Sequence, residues 1–279
     1  MGYSIFEETM VEMPWPEVER AGQDGAIVLL PTGVIEEHGP HMDLGVDAYL
    51  SYLSCKMTRR ELETRGLRTL IAPPFYWGIN MATASFPGSF TVRKSTMKAL
   101  LQDILDSLQR WGFRNVFVLN WQGEHDHNVT LLELMQEARR ETGARARYVL
   151  PAWQAKRFGV TGAEPHVLVA PNGGSNSGAG GGQVEVHADS LETSVMAAYF
   201  PESVNAAMAK TLPGTSLGVP DLMEWRKGWD DGRRVTPQGY FGDPASFDAE
   251  AGHRHMEQYA KDLADTIEAA LNGSYEPPA

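Results

Sequence analysis

Ala26-Ile27-Val28-Leu29-Leu30-Pro31-Thr32-Gly33 is a continuous apolar run stopped by Pro, Thr and Gly. A run this short and this apolar reads as a strand buried on both faces, as in parallel sheets covered by helices. The chain beyond it alternates. Leu50, Leu53 and Met57 recur at helical spacing before Gly66, and Arg68 to Ala72 reads as a second strand closed by Pro73-Pro74. Met97, Leu100, Leu101, Ile104, Leu105, Leu108 and Trp111 form one face of an amphipathic helix. Asn115 to Asn120 predicts a third strand, Leu131 to Ala138 another helix, and Arg145 to Leu150 a fourth strand. This alternation predicts an α/β fold with a mostly parallel central sheet between helical layers.

The second half is less regular. Residues 156–183 hold Pro171-Asn172-Gly173-Gly174 and Gly178 to Gly182, which predicts a long Gly-rich loop of the kind that serves as a lid. Val184 to His187 reads as a short strand, Asp189 to Ala198 as a helix, and residues 214–238 as irregular. Met256, Tyr259, Leu263 and Ile267 mark a last helix from about Asp248 to Leu271. No internal repeat interrupts residues 1–279, so one domain is expected.

The formal net charge is −12, from 24 Lys+Arg against 36 Asp+Glu. That balance argues against nucleic acid or an anionic membrane as partner, since both require a basic face. No apolar stretch approaches the roughly 20 residues of a membrane span, and the amino-terminal residues lack a signal peptide's basic and apolar regions. The single cysteine, Cys55, excludes an intrachain disulfide and fits a reducing, cytoplasmic setting. It falls within a helical pattern, so packing is its expected role.

Two clusters carry chemistry. Glu36-Glu37-His38-Gly39-Pro40-His41 follows the first strand, with Asp47 close behind. Glu36 and His38 are two apart, so an extended segment sends both side chains to one face. Asn120-Trp121-Gln122-Gly123-Glu124-His125-Asp126-His127 follows the third strand. Ligands of parallel α/β sheets gather outside the carboxyl ends of strands, so the two clusters are expected to converge on a divalent metal. Mixed O/N donors suit Zn²⁺, Mn²⁺ or Fe²⁺. Taken singly, each residue has a plainer reading: Asp47 as a helix N-cap, Glu124 as an acid near a helix N-terminus, His38 as a packed histidine. A third cluster runs from Glu185 to Ser194. Asp189 and Glu192 have the spacing of a capping box, which by itself explains both acids, and His187 before them is the candidate for proton transfer.

These motifs resemble the creatininase (creatinine amidohydrolase) family. The match runs through Pro31-Thr32-Gly33-Val34-Ile35-Glu36-Glu37-His38-Gly39-Pro40-His41, Leu44 and Asp47, then Phe86-Pro87-Gly88-Ser89 and Asn120 to Glu124. It continues in His187-Ala188, Glu192-Thr193-Ser194, Gly242-Asp243-Pro244, Glu250 and Gly252. The resemblance implies an αβα sandwich, a homo-oligomer (a hexamer in the family), and one or two divalent ions per subunit. It implies hydrolysis of a cyclic or linear amide C–N bond in a small molecule by a metal-bound hydroxide. Glu36 and Asp47 would serve one metal and His38, Asp47 and Glu124 the other, with His187 and Glu124 moving protons. Gln122 stands where the family presents a metal-binding His, a weaker ligand that His125 or His127 would have to supplement. Trp121 and His125 are expected to contact substrate. Residues 80–84 lack a His that relatives often carry there, which argues against true creatininase. Two rival readings stand beside this one: a non-catalytic metal-binding relative, and a two-metal phosphoesterase. The latter should add Arg or Lys to grip phosphate, and neither metal cluster contains one.

Overall fold

The computed structural model describes residues 3–142, 145–171 and 184–278. Five strands form one wholly parallel sheet: β1 (Ile27–Thr32), β2 (Thr69–Ile71), β3 (Asn115–Asn120), β4 (Arg145–Pro151) and β5 (Val167–Ala170). Their spatial order is β2-β1-β3-β4-β5. The helices are α1 (Trp15–Gln23), α2 (Val46–Thr64), α3 (Lys94–Arg110), α4 (His125–Thr142), α5 (Ala152–Phe158), α6 (Ser190–Tyr199), α7 (Ala206–Ala209), α8 (Val219–Trp225), α9 (Trp229–Val235) and α10 (Ala249–Asn272).

The two faces of the sheet explain the uninterrupted apolar runs. Val28 and Leu30 of β1, with Val116 and Val118 of β3, pack against Met97, Leu101 and Leu105 of α3 and Leu131, Leu134 and Met135 of α4. The alternate residues Leu29, Phe117 and Leu119 face Leu50 and Leu53 of α2, Val195 and Met196 of α6, and Met256, Leu263 and Ile267 of α10. Because side chains alternate with period two, a strand must be apolar throughout to fill both layers. Cys55 is buried in the second layer, and burial pushes its thiol pKa well up, which leaves it a packing residue.

The strand order sets the site. From β1 the chain moves outward to β2, then crosses back to place β3 on the other side of β1. The loops leaving β1 and β3 therefore diverge and open a crevice at their carboxyl ends. Thr32 lies opposite Asn120 in the β1–β3 register, so both rim segments start level with each other.

Three expectations differ from what is found. The stretch expected as loop over 156–183 includes the edge strand β5, whose four residues are too few to announce themselves beside so much glycine; residues 172–183, where the lid was expected, lie outside the described residues. The strand expected over Val184 to His187 is a single antiparallel bridge, His187 to Phe241. The segment 214–238 is not irregular but holds α8 and α9. Trp225 at the end of α8 is buried, packs on Phe241 and Ala82, and donates its Nε1–H to Thr236 Oγ1 at 2.9 Å. No helix among the described residues is long and apolar enough to cross a membrane.

Candidate metal centre

Gly33 ends β1 without a side chain, and that is what admits α2. A Cβ there would stand 2.9 Å from the Asp47 carbonyl oxygen and 3.1 Å from Asp47 Cβ. The first turn of α2 is thereby pressed against the strand end. Gly45, not Asp47, is the N-cap of α2, and Asp47 points its carboxylate into the crevice. The N-cap reading of Asp47 is thus set aside.

Two groups of donor atoms, each mutually within 4.8 Å, sit at this rim: Glu36, His38 and His187, and His38, Asp47 and Glu192. His38 is shared. Its Nδ1 lies 3.2 Å from the Glu36 carbonyl oxygen, which can only accept, so Nδ1 carries the hydrogen and Nε2 presents a lone pair. That Nε2 is 3.7 Å from Asp47 Oδ1 and 3.8 Å from Glu192 Oε2. His38 Nε2 and Asp47 Oδ2 are buried without a hydrogen-bond partner among the described residues. Buried polar atoms are rarely left so. Donors about 2 Å from a common ion would lie within roughly 4 Å of each other, which these atoms approach. The donor set fits a divalent cation.

The electrostatics suit one. Burial pushes Glu36 up, and pushes Asp47 well up with added repulsion from Glu36 and Glu192. Burial and the neighbouring Asp189 carry Glu192 up to about 8, and Asp189 itself is pushed up to about 6, chiefly by burial. His38 is held well below its usual value by burial and by His187, which keeps it a neutral donor. His187 goes the other way: burial opposes its charge, but Glu36, Glu37 and Glu192 together hold it well above the ordinary histidine range. Its Nε2–H donates to the Glu37 carbonyl at 2.8 Å, and its Nδ1 faces Glu36 Oε1 at 3.9 Å. Ala188, at φ 48°, turns the chain sharply after His187 and gives its N–H to Glu192 Oε2.

Glu192 is therefore not the second half of a capping box. Asp189 caps α6 by accepting from Glu192 N, whereas the Glu192 side chain reaches past the cap to Ala188 and on to His38. Spacing alone hid this residue; its place beside Thr193-Ser194 in the family-like block was the available signal.

Glu124, expected among the ligands, lies outside both donor groups. Its Oε2 accepts from Met81 N at 3.1 Å and Ala82 N at 3.2 Å, and its Oε1 accepts from His125 N at 2.9 Å. Gln122 turns its NH₂ end towards Glu36: its Nε2 donates to Glu36 Oε1 at 2.9 Å while its Oε1 accepts from Glu124 N at 2.8 Å. Neither His125 nor His127 compensates. His125 is exposed, and buried His127 accepts the Ile79 N–H at Nδ1. Thr83 Oγ1 donates the remaining bond to Glu36, at 2.8 Å.

A cavity of about 540 Å³ opens on this cluster, within the range of small-molecule sites. Glu36, Asp47, His187 and Glu192 line it together with Glu124, Trp121 and His125. Arg157 and Arg226 line it too. The cations missing from both sequence clusters are supplied from elsewhere in the chain.

A parallel sheet with carboxylates and imidazoles converging at its carboxyl rim, beside a small-molecule cavity, is the layout of a metal-dependent hydrolase. The chain belongs to the creatininase family: the profile described as creatinine amidohydrolase matches residues 11–267. Creatinine amidohydrolase of Pseudomonas putida is 25% identical, covering 96% of this chain and 97% of its own. Mycofactocin precursor peptide peptidase of Mycobacterium ulcerans is 26% identical, covering 86% and 84%. Among solved structures, creatininase superposes with a TM-score of 0.70 at 22% identity, over 97% of this chain and 99% of that one. These homologues point to a hydrolase of amide bonds, on the αβα sandwich the fold displays.

Proposed function

We propose that this chain is, over its whole length, a metal-dependent amidohydrolase that binds one or two Zn²⁺, Mn²⁺ or Fe²⁺ ions and hydrolyses the C–N bond of a small amide. The observation that carries this is the pair of buried, unpartnered donors His38 Nε2 and Asp47 Oδ2, set among carboxylates at the end of a small-molecule cavity. Glu36, His38, Asp47 and Glu192 would hold the metal. When bound, it lowers the pKa of water towards about 7 and polarises the amide carbonyl.

The chain's own residues do the rest. His187 keeps its Nε2–H on the Glu37 carbonyl, so Nδ1 is the nitrogen that exchanges a proton. Held charged by Glu36, Glu37 and Glu192, it gives the Nδ1 proton to the departing amine nitrogen and recovers one from water, a transfer worth roughly 10²–10⁴-fold. Glu124, fixed by three backbone N–H groups on the cavity wall, is the second proton carrier. Trp121 and Trp225 wall the cavity and limit water at the reacting carbon. A cytoplasmic location and a homo-oligomeric assembly go with this reading.

The test is to strip the chain with chelator, reload it with Mn²⁺ or Zn²⁺, and assay lactams, N-acyl amino acids and dipeptides beside an aryl phosphate. Metal-dependent cleavage of an amide supports the reading. Metal binding without hydrolysis of any amide would make the chain a binding relative, and cleavage of the phosphate alone would make it a phosphoesterase.

A further inference from the structure

We propose that Arg157 and Arg226 form an anion subsite in this cavity, and that the amide substrate carries a carboxylate bound there. The inference rests on the amidohydrolase reading for the word amide, though not for the subsite itself.

The two arginines reach the cavity from separate elements. Arg157 belongs to α5, and its Nη1–H donates to the Gly123 carbonyl at 2.9 Å, beside the rim segment that follows β3. Arg226 is the residue that closes α8, next to Trp225. Both line the cavity that also contains Glu36, Asp47 and Glu192. Both are partly buried. Among the described residues the Arg226 guanidinium has neither hydrogen bond nor ion pair, and Arg157 has no carboxylate partner within 4.0 Å.

The obvious counter-ion is Glu124, but its oxygens are already taken by the N–H groups of Met81, Ala82 and His125. Burying guanidinium groups without a paired anion is unfavourable. Burial, and then the nearby Arg226 charge, lower Arg157 to about 10, which leaves it a cation at neutral pH. With the Glu124 oxygens so occupied, the two guanidiniums keep donors turned to the cavity for an anion that enters it. Arginine's planar fork also matches a carboxylate through two parallel N–H···O bonds. One region of the cavity thus suits a cation that engages the amide, and another suits the anionic end of the same molecule.

The proposal is tested by calorimetric titration of the Mn²⁺-loaded chain with three probes: N-acetylalanine, its C-terminal amide, and the phosphonate analogue. The free acid should bind at least tenfold more tightly than the capped amide. In Arg226→Gln that ratio should fall towards one, with Arg226→Lys intermediate, while metal content and thermal midpoint confirm that each variant folds. Arg157→Gln should lower the ratio as well. Equal affinity of acid and capped amide in the wild type overturns the subsite. So does an acid preference that survives in both glutamine variants, because the metal would then be taking the carboxylate. Tighter binding of the phosphonate overturns the assignment to carboxylate. Turnover of the same probes is read separately. Arginine-dependent affinity without hydrolysis sinks the amidohydrolase reading and leaves the subsite standing; hydrolysis without discrimination does the reverse.

Discussion

His38 Nε2 and Asp47 Oδ1 lie 3.7 Å apart, the first a lone pair of a neutral imidazole and the second an oxygen of a buried carboxyl, too far for a hydrogen bond between them. A cation between them would satisfy both atoms at once. Asp47 is also crowded by like charge, with Glu36 and Glu192 both raising it after burial. Its substitution should therefore have opposite effects on the loaded and the empty chain. Asp47→Asn should lose bound metal, by on the order of 100-fold or more in affinity. The chelated variant should nonetheless melt no lower than the chelated wild type. It should gain a few degrees, about 1 kcal/mol corresponding to roughly 2–4 °C at this size. Metal analysis and calorimetry with excess chelator read both. A chelated variant that melts far below the chelated wild type would show that Asp47 is a structural anchor instead.

The pH dependence follows from the same crowding. A carboxyl whose folded pKa exceeds its unfolded value binds more protons when folded, so its stabilising effect is lost as pH rises through the folded pKa. Glu36, Asp47 and Glu192 are all raised, Glu192 to about 8, and raised His187 acts in the same direction. Below about 6.5 the lowered histidines His38, His41 and His127 act oppositely, because the unfolded chain gains protons there that the folded chain refuses. The clean window is thus about pH 6.5 to 8. Across it the metal-free chain should lose stability, and the rise in melting temperature on adding Mn²⁺ should grow. Scanning calorimetry at three pH values checks this. A metal-induced rise that shrinks towards pH 8 would contradict it.

How much of this was legible in the sequence depended on whether a residue's role is local. The strands β1 and β3 were readable because each is a six-residue run buried on both faces, and β2 because Pro73-Pro74 closes it. Glu36, His38 and Asp47 were readable because one strand end and the next helix bring them together within a dozen residues. Glu192 and Gln122 were not. Whether Glu192 turns back to the Asp189 N–H or passes it for His38 depends on the backbone of Ala188, a non-glycine residue at positive φ that no spacing rule predicts. Gln122 was weighed as a poor ligand, yet its amide orientation is decided by the Glu124 N–H and the Glu36 carboxylate, contacts that exist only once β3 and β1 are side by side. Arg157 and Arg226 lay outside every motif because their meeting depends on α5 and α8, short elements with no sequence signature.

Gly33 ties the backbone to the metal site. Asp47 presses on it so closely that a methyl group would sit 2.9 Å from the Asp47 carbonyl oxygen. Backbone is harder to displace than a side-chain tip, so Gly33→Ala should push the first turn of α2 outward and carry the Asp47 carboxylate with it. Overpacking of this kind costs about 1–3 kcal/mol. The variant should melt lower and bind metal at least tenfold more weakly, measured by calorimetry and metal titration. Unchanged metal affinity in a destabilised Gly33→Ala chain would mean that the Asp47 position is not set by this contact.

Glu192 and Glu124 are both cavity carboxylates, and their isosteric amides should fail in different ways. Glu192 Oε2 is 3.8 Å from His38 Nε2 and belongs to the donor group of His38 and Asp47. Replacing it with glutamine removes the charge while keeping the bond from the Ala188 N–H, so α6 should stay in place and metal affinity should fall by on the order of 10–100-fold. Glu124 has all its described bonds from backbone N–H groups, two of them on one oxygen. In Glu124→Gln the amide NH₂ must face one of those donors, yet the metal donors are untouched. That variant should keep its metal and lose turnover, by roughly 10²–10⁴-fold if the carboxylate carries a proton. Metal content and single-turnover hydrolysis, measured on both variants at one pH, separate the two roles. Loss of metal from Glu124→Gln with retention in Glu192→Gln would reverse the assignment and return Glu124 to the ligand set, with Glu192 left as the helix-capping acid its spacing suggests.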